Sequence, residues 1–145
     1  MVTQSIRTHR EREIQRHKWI ESEKAGRDLG EDAIYSWIHT HWKGYFRQRW
    51  LEHLQGKAFW NELRKDTFGI LANRFEDQLP LFNHIIDCFS AGQENVHIVW
   101  WAVGTHHSID DVFAILEAID INGARVCNQL HEQWMQCRSE FSRAS

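Results

Sequence analysis

The stretch EDAIYSWIHTHWKGYFRQRWLEHLQG, residues 31–56, decides the fold because it predicts one long, aromatic-rich helix. At about 100° per residue, one face of this helix is mostly apolar and carries Ile34, Trp37, Ile38, His41 and Tyr45. The opposite face carries Ser36, Thr40, Lys43 and Arg47. A spacing of i, i+3, i+4 and i+7 is typical of a helix that buries one side in a core.

The second half of this helix follows a different pattern. The apolar residues Trp50 and Leu54 lie on the other side, whereas the polar residues Arg49 and Glu52 continue the earlier stripe beyond His41 and Tyr45. A glycine near the change, at position 44, weakens a helix interior by about 1 kcal/mol relative to alanine. Two interpretations follow. Either the helix bends at the glycine and packs on a second neighbour, or the polar stripe points into a pocket.

Residues 4–28 predict another long helix, which is highly charged and ends at glycines. On its least polar face, His9, Glu13 and His17 stand one turn apart. Because so polar a helix is not stable alone, we expect it to lie on the rest of the protein or on a partner.

The middle of the chain predicts shorter and very apolar helices. They cover Lys57 to Lys65, a segment with the stripe Phe68, Leu71 and Phe75, and the segment from Pro80 to Gly92. The next apolar run, residues 96–103, contains β-branched residues that favour a strand. A lone strand would have no partner, so we predict a helix here as well.

The last third of the chain begins with Ser108, which together with Asp111 predicts a helix N-cap. Apolar residues then continue at helical spacing to residue 141, which predicts one long C-terminal helix or two helices that meet near residues 120–123. Across the whole chain, we expect nearly complete burial of Trp37, Ile38, Tyr45, Ile85, Leu116, Leu130 and Trp134.

Together these elements predict a single all-α domain of residues 1–145 with five to seven helices, of which the N-terminal, second and C-terminal ones are long. The basic helix of residues 1–30 is a candidate for packing on a partner. The chain has eight tryptophans, more than a helical core of this size needs, so we expect some of them at a contact surface.

The charge distribution argues against a nucleic-acid protein. The net charge is −3, with seven Lys/Arg against five Asp/Glu in residues 1–30 and three Arg against eight Asp/Glu from Pro80 onward. This asymmetry is milder than the basic patch of nucleic-acid proteins. The apolar runs are too short to span a bilayer, and no signal peptide is evident at the N-terminus. We therefore expect a cytoplasmic protein without a membrane span. Its cysteines, which match no disulfide or metal motif, are expected to be free and buried: Cys88, Cys127 and Cys137.

The ten histidines raise the hypothesis of a metal site. The residues that helical spacing could bring together are Glu13, His17 and His41, and imidazole with carboxylate suits several divalent metals. The pair of Glu-x-x-His motifs that helical-bundle di-metal proteins use is missing, however. The opposing interpretation is that these residues pair with charged neighbours on the first helix.

Catalytic signatures are weak. Cys88 follows His84 by one helical turn, but in this apolar context the sequence favours an inert buried thiol over a nucleophile. The turn at residues 105–108 precedes a helix N-terminus, where aspartates already satisfy the helix dipole and favour capping over anion binding. The sequence thus favours a protein without enzymatic activity.

The sequence predicts a non-enzymatic accessory or regulatory protein that acts by protein–protein contact through aromatic-rich helices. Its partner would be another protein, a larger complex or a second copy of the chain, and no cofactor is expected. Aromatic and cationic residues are the candidates for that contact: Trp19, Trp42, Arg47 and Trp50. The alternative is a helical bundle that binds a divalent metal or an organic cofactor through His and Glu ligands, among them His17 and His41.

Overall fold

The computed structural model describes residues 3–123 and confirms the predicted all-α class. The helices in this range are α1 (Ile6–Ala25), α2 (Glu31–Leu54), α3 (Leu79–Ser90), α4 (Asn95–Gly104) and α5 (Ile109–Ile119). Two short strands, β1 (Thr3–Gln4) and β2 (Phe59–Trp60), form a parallel pair. None of the described helices is both long and apolar enough to cross a membrane. The helix predicted from Ser108 onward ends at Ile119 as α5, in agreement with the alternative of two helices that meet near residues 120–123, and the rest of the predicted C-terminal helix lies outside the described residues.

The two long helices α1 and α2 pack side by side. A helix as polar as α1 is not stable alone, so it needs this packing. The side chain of Ser5 caps α1 by accepting a hydrogen bond from the Thr8 backbone N–H, and Gly26 ends the helix in the left-handed conformation, with a φ of 70°. The helix α2 is continuous through Gly44. The change of its apolar face therefore does not break the helix. It arises because α2 contacts both α1 and α3.

The predicted helix over Lys57 to Lys65 is wrong. Within this segment only β2, Phe59–Trp60, is extended and pairs with β1, and the buried imidazole of His53 ties the segment to the end of α2. The Nδ1 atom of His53 accepts a hydrogen bond from the Trp60 backbone N–H at 3.2 Å, so Nε2 carries the proton and donates to the Arg64 carbonyl at 2.9 Å. Both ring nitrogens are thus used by the backbone.

The next predicted helix, with Phe68, Leu71 and Phe75 as its stripe, is also wrong. The segment contains only single 3₁₀ turns at Lys65–Thr67 and Glu76–Gln78. Its backbone bonds to α2 instead, because the Gly69 N–H donates to the His53 carbonyl and the Leu71 N–H donates to the Leu54 carbonyl, each at 2.9 Å. Leu71 and Phe75 are still buried.

The remaining helices follow the sequence closely. The predicted helix over Pro80 to Gly92 is α3, with the proline in its first turn, and the apolar run 96–103 is the helix α4. At the start of α4, the side chains of Glu94 and His97 form a capping box with each other's backbone N–H groups. Ser108 caps α5 as predicted.

The core lies between α2 and the helices on either side of it. Among the predicted core residues, Trp37, Ile85 and Leu116 are confirmed as buried, whereas Ile38 and Tyr45 are only partly buried and the prediction for them is wrong. Both side chains pack against the edge of the core, and the Tyr45 hydroxyl lies next to His9 of α1. Other residues predicted to be buried lie outside the described range: Cys127, Leu130, Trp134 and Cys137.

Candidate functional site

Three of the four residues predicted to contact a partner lie inside the protein. Trp42 is fully buried, Trp50 is 9% exposed and Arg47 is 8% exposed, whereas Trp19 on α1 is 67% exposed. The four residues therefore do not form one exposed surface. The physical reason is that α2 is covered on two sides, so most of its aromatic residues belong to the core.

Arg47 has a structural role. Its Nη2 atom donates to the carboxylate of Glu94 at 2.8 Å, and its Nη1 atom donates to the Gln93 carbonyl at 3.0 Å. The guanidinium thus ties α2 to the turn between α3 and α4, and this turn sets where α4 begins. Charge-assisted hydrogen bonds of this kind are the stronger ones in proteins.

The exposed apolar surface of the described residues is instead concentrated on α4 and α5. Trp100 is 78% exposed, and Val103, Val96 and Phe113 are 61%, 57% and 47% exposed. Val96, Trp100 and Phe113 line a groove of about 470 Å³ between the two helices. We call this area, formed by Val96, Trp100, Val103 and Phe113, the α4–α5 surface.

Sequence reasoning missed this surface although a signal was present. A helix that is apolar on all sides is normally buried on all sides. In α4, only Ile98 and Ala102 are fully buried, because the helix is short and contacts α5 on one side. The run 96–103, which is apolar except for His97, therefore has more apolar faces than its neighbours cover, and Trp100 projects from an uncovered one.

The electrostatic environment of the α4–α5 surface is acidic. Glu117 and Asp120 line the groove together with the apolar residues. Residues 95–123 contain four carboxylates and no lysine or arginine. The surface thus combines a large apolar contact area with negative charge at its edge.

A second groove, of about 490 Å³, lies between α1 and α2, and we call it the α1–α2 groove. The residues of the predicted metal site, Glu13, His17 and His41, all line it. The rings of the two histidines are 5.6 Å apart and meet edge to face. The three residues thus line one groove, in agreement with their helical spacing in the sequence.

These residues do not form a metal site in this arrangement. Within residues 3–123, no group of three or more His, Cys, Asp or Glu side chains is placed to hold a metal ion. The Nε2 atom of His17 is buried and has no hydrogen-bond partner among the described residues.

The polar neighbours of this groove form a network around Tyr45. The Tyr45 hydroxyl and His9 Nδ1 are 2.6 Å apart, and the guanidinium of Arg49 lies 4.7 Å from the centre of the Tyr45 ring. Burial raises the pKa of Tyr45 above its ordinary value, and the nearby Arg49 opposes part of that rise. Tyr45 is therefore a neutral hydrogen-bonding group at physiological pH.

Cys88 and His84 are close enough to interact, but their chemistry is not that of a catalytic pair. The Cys88 Sγ and His84 Nε2 atoms are 3.4 Å apart, and the His84 ring stacks on Trp101. Burial raises the pKa of the Cys88 thiol, and the nearby Asp87 raises it further. An activated nucleophile requires a lowered pKa, so both effects disfavour the thiolate of Cys88, which is a buried free cysteine.

Comparisons with protein-family models, with curated proteins and with solved structures find no match to this chain.

Proposed function

We propose that this protein is a non-enzymatic accessory or regulatory protein that binds another protein through the α4–α5 surface. The observation that supports the proposal is that the exposed side chains of Trp100, Val96 and Phe113 line one groove, with exposed Val103 on the same helix as Trp100. Contiguous exposed apolar patches on soluble proteins usually mark interaction sites. Tryptophan is also the residue type most enriched among those that dominate binding free energies.

The chemistry of the surface indicates the kind of partner. A groove between two helices, lined by Val96, Trp100 and Phe113, suits the apolar face of an amphipathic helix. The carboxylates of Glu117 and Asp120 favour a partner helix with lysine or arginine beside its apolar face. We therefore commit to an amphipathic, cationic helical segment of another protein as the occupant.

A peptide titration tests this proposal. The probe is a synthetic helical peptide with leucines at i, i+3, i+4 and i+7 and lysines at the flanking positions. A matched peptide replaces every lysine with glutamate. We expect the cationic peptide to bind at least about tenfold more tightly than the acidic one, and the difference to shrink as salt screens the charges. Equal affinities for the two peptides would contradict the proposed partner chemistry.

Two further measurements distinguish the proposed partner from two other occupants of the surface, a second copy of the chain and a membrane. Sedimentation of the protein alone tests a second copy: a dimer that Trp100→Ala converts to monomer would replace the proposed partner with the protein itself. Flotation with vesicles of a zwitterionic lipid tests a membrane. Binding to the vesicles that Trp100→Ala abolishes would overturn the proposal in favour of a lipid surface.

A further inference from the structure

The α1–α2 groove is built from two facing helical stripes. The stripe on α1 consists of residues 13, 16, 17 and 20, and the stripe on α2 consists of residues 37, 40, 41, 44 and 45. Both sets follow the helical spacing of residues that face a neighbouring helix. The helices nevertheless leave a groove of about 490 Å³ between them here, which is within the size range of small-molecule sites.

Gly44 lines this groove, although the backbone conformation at this position does not require a glycine. Its φ is not among the positive values that favour glycine, and a Cβ atom added at this position would meet nothing within 4 Å. Glycine weakens a helix interior relative to alanine. The absence of a side chain at Gly44 leaves open space in the groove, because the side chain of any larger residue would project into it.

The charged groups at the groove are opposite in sign, and neither is in an ion pair with another residue of the range 3–123. Glu13 and Arg16 lie three residues apart on α1, a spacing at which such side chains commonly form an ion pair. Among the described residues, neither of them forms an ion pair or a side-chain hydrogen bond. Both charges thus remain available to a bound molecule. Ile20 and the rings of Trp37 and Tyr45 supply the apolar part of the lining.

From this juxtaposition we propose that the α1–α2 groove binds a small zwitterion of the α-amino-acid type with an apolar side chain. The ligand's ammonium group meets Glu13, its carboxylate meets Arg16, and its side chain lies in the space beside Gly44 and Trp37. A simple anion is repelled by Glu13 and a simple amine by Arg16, whereas a zwitterion satisfies both charges. This inference is independent of the partner proposed for the α4–α5 surface.

The test is a titration of the full chain with L-phenylalanine, followed by amide chemical shifts. Phenylacetate lacks the ammonium group, and phenethylamine lacks the carboxylate, so these two compounds are matched controls. A ligand of this size in an open groove should have a Kd on the order of 1 mM. We expect each control compound to bind at least about tenfold more weakly, because it leaves one charge of the site unpaired.

Variants of the groove locate the binding site. Gly44→Leu fills the groove with a good helix former, so it should abolish binding while preserving the folded spectrum. Glu13→Gln should reduce the preference for L-phenylalanine over phenylacetate, and Arg16→Gln should reduce the preference over phenethylamine. Glu23→Gln, at an exposed position on the same helix, is the matched control and should leave the Kd unchanged.

Three results would overturn the inference. The first is the absence of shift changes at residues of the groove with L-phenylalanine at about ten times the expected Kd. The second is equal binding of L-phenylalanine and either control compound. The third is binding of Zn²⁺ alone at the groove that Glu13→Gln abolishes, because this would assign the carboxylate to a metal instead of an ammonium group.

Discussion

Arg47 should hold the end of α3 and the start of α4 against α2, and replacing it with methionine tests this role. Methionine keeps the apolar stem of the side chain but removes the hydrogen bonds to Glu94 and to the Gln93 carbonyl. Breaking a buried ion pair by removing one partner typically lowers the free energy of unfolding by about 3–5 kcal/mol. The Glu94 side chain is 27% exposed and can regain water, so we expect the lower end, about 3 kcal/mol.

Urea denaturation followed by circular dichroism measures this change. The comparison requires that the variant and the wild type have the same m-value, the slope of the free energy of unfolding against urea concentration. Lys43→Met is the matched control, since Lys43 is on the same helix and 4.0 Å from the same carboxylate but is 66% exposed. An exposed pair of this kind contributes at most about 1 kcal/mol. If Arg47→Met destabilised the protein no more than Lys43→Met does, the assignment of Arg47 to the interior would be refuted.

Three further predictions concern the core, the tyrosine network and the thiol. Trp42→Ala should lower the free energy of unfolding by about 3–5 kcal/mol, whereas Trp19→Ala should change it by less than about 0.5 kcal/mol, as urea denaturation will show. Burial raises the pKa of Tyr45, so its contribution to stability is complete below its unfolded pKa near 10.0 and is lost as the pH rises through the higher folded value. Tyr45→Phe should therefore lose less stability than the wild type in thermal denaturation measured above that pH. Cys88, with a raised pKa, should react with a thiol reagent much more slowly in the native protein than in urea. Equal rates would contradict its burial.

The sequence predicts the helices whose pattern is long and periodic. This holds for α3 and α5, whose apolar residues recur at helical spacing. The helix α1 was predicted from its helix-forming residues and terminal glycines, and α4 from the lack of a strand partner for the run 96–103. Facing stripes on α1 and α2 also predicted which residues meet, and Glu13, His17 and His41 do line one groove.

The segment between α2 and α3 could not be predicted from local pattern. Its structure depends on His53, whose two ring nitrogens bond to backbone seven and eleven residues away. Its backbone also bonds to the last carbonyls of α2 at Gly69 and Leu71. Such long-range bonds override helix propensity and leave no periodic signal in the sequence.

The location of the exposed aromatic surface was missed for a related reason. Periodicity shows which residues share a face, but it does not show how many neighbours cover that face. Trp42 and Trp100 both stand in aromatic-rich helices, yet α2 is covered on two sides and α4 is not, so one is fully buried and the other is 78% exposed.

The central claim is that Trp100 is the main anchor for a cationic amphipathic partner helix, and a comparison of two variants tests it most directly. Trp100→Ala and Trp19→Ala each remove one exposed tryptophan, on α4 and on α1. The measurement is the Kd of the cationic peptide for each variant, determined by fluorescence anisotropy of a label on the peptide. We expect Trp100→Ala to raise the Kd about 30-fold, which corresponds to a loss of about 2 kcal/mol, and Trp19→Ala to leave it within about twofold. An unchanged Kd for Trp100→Ala, or an equal loss for both variants, would contradict the claim.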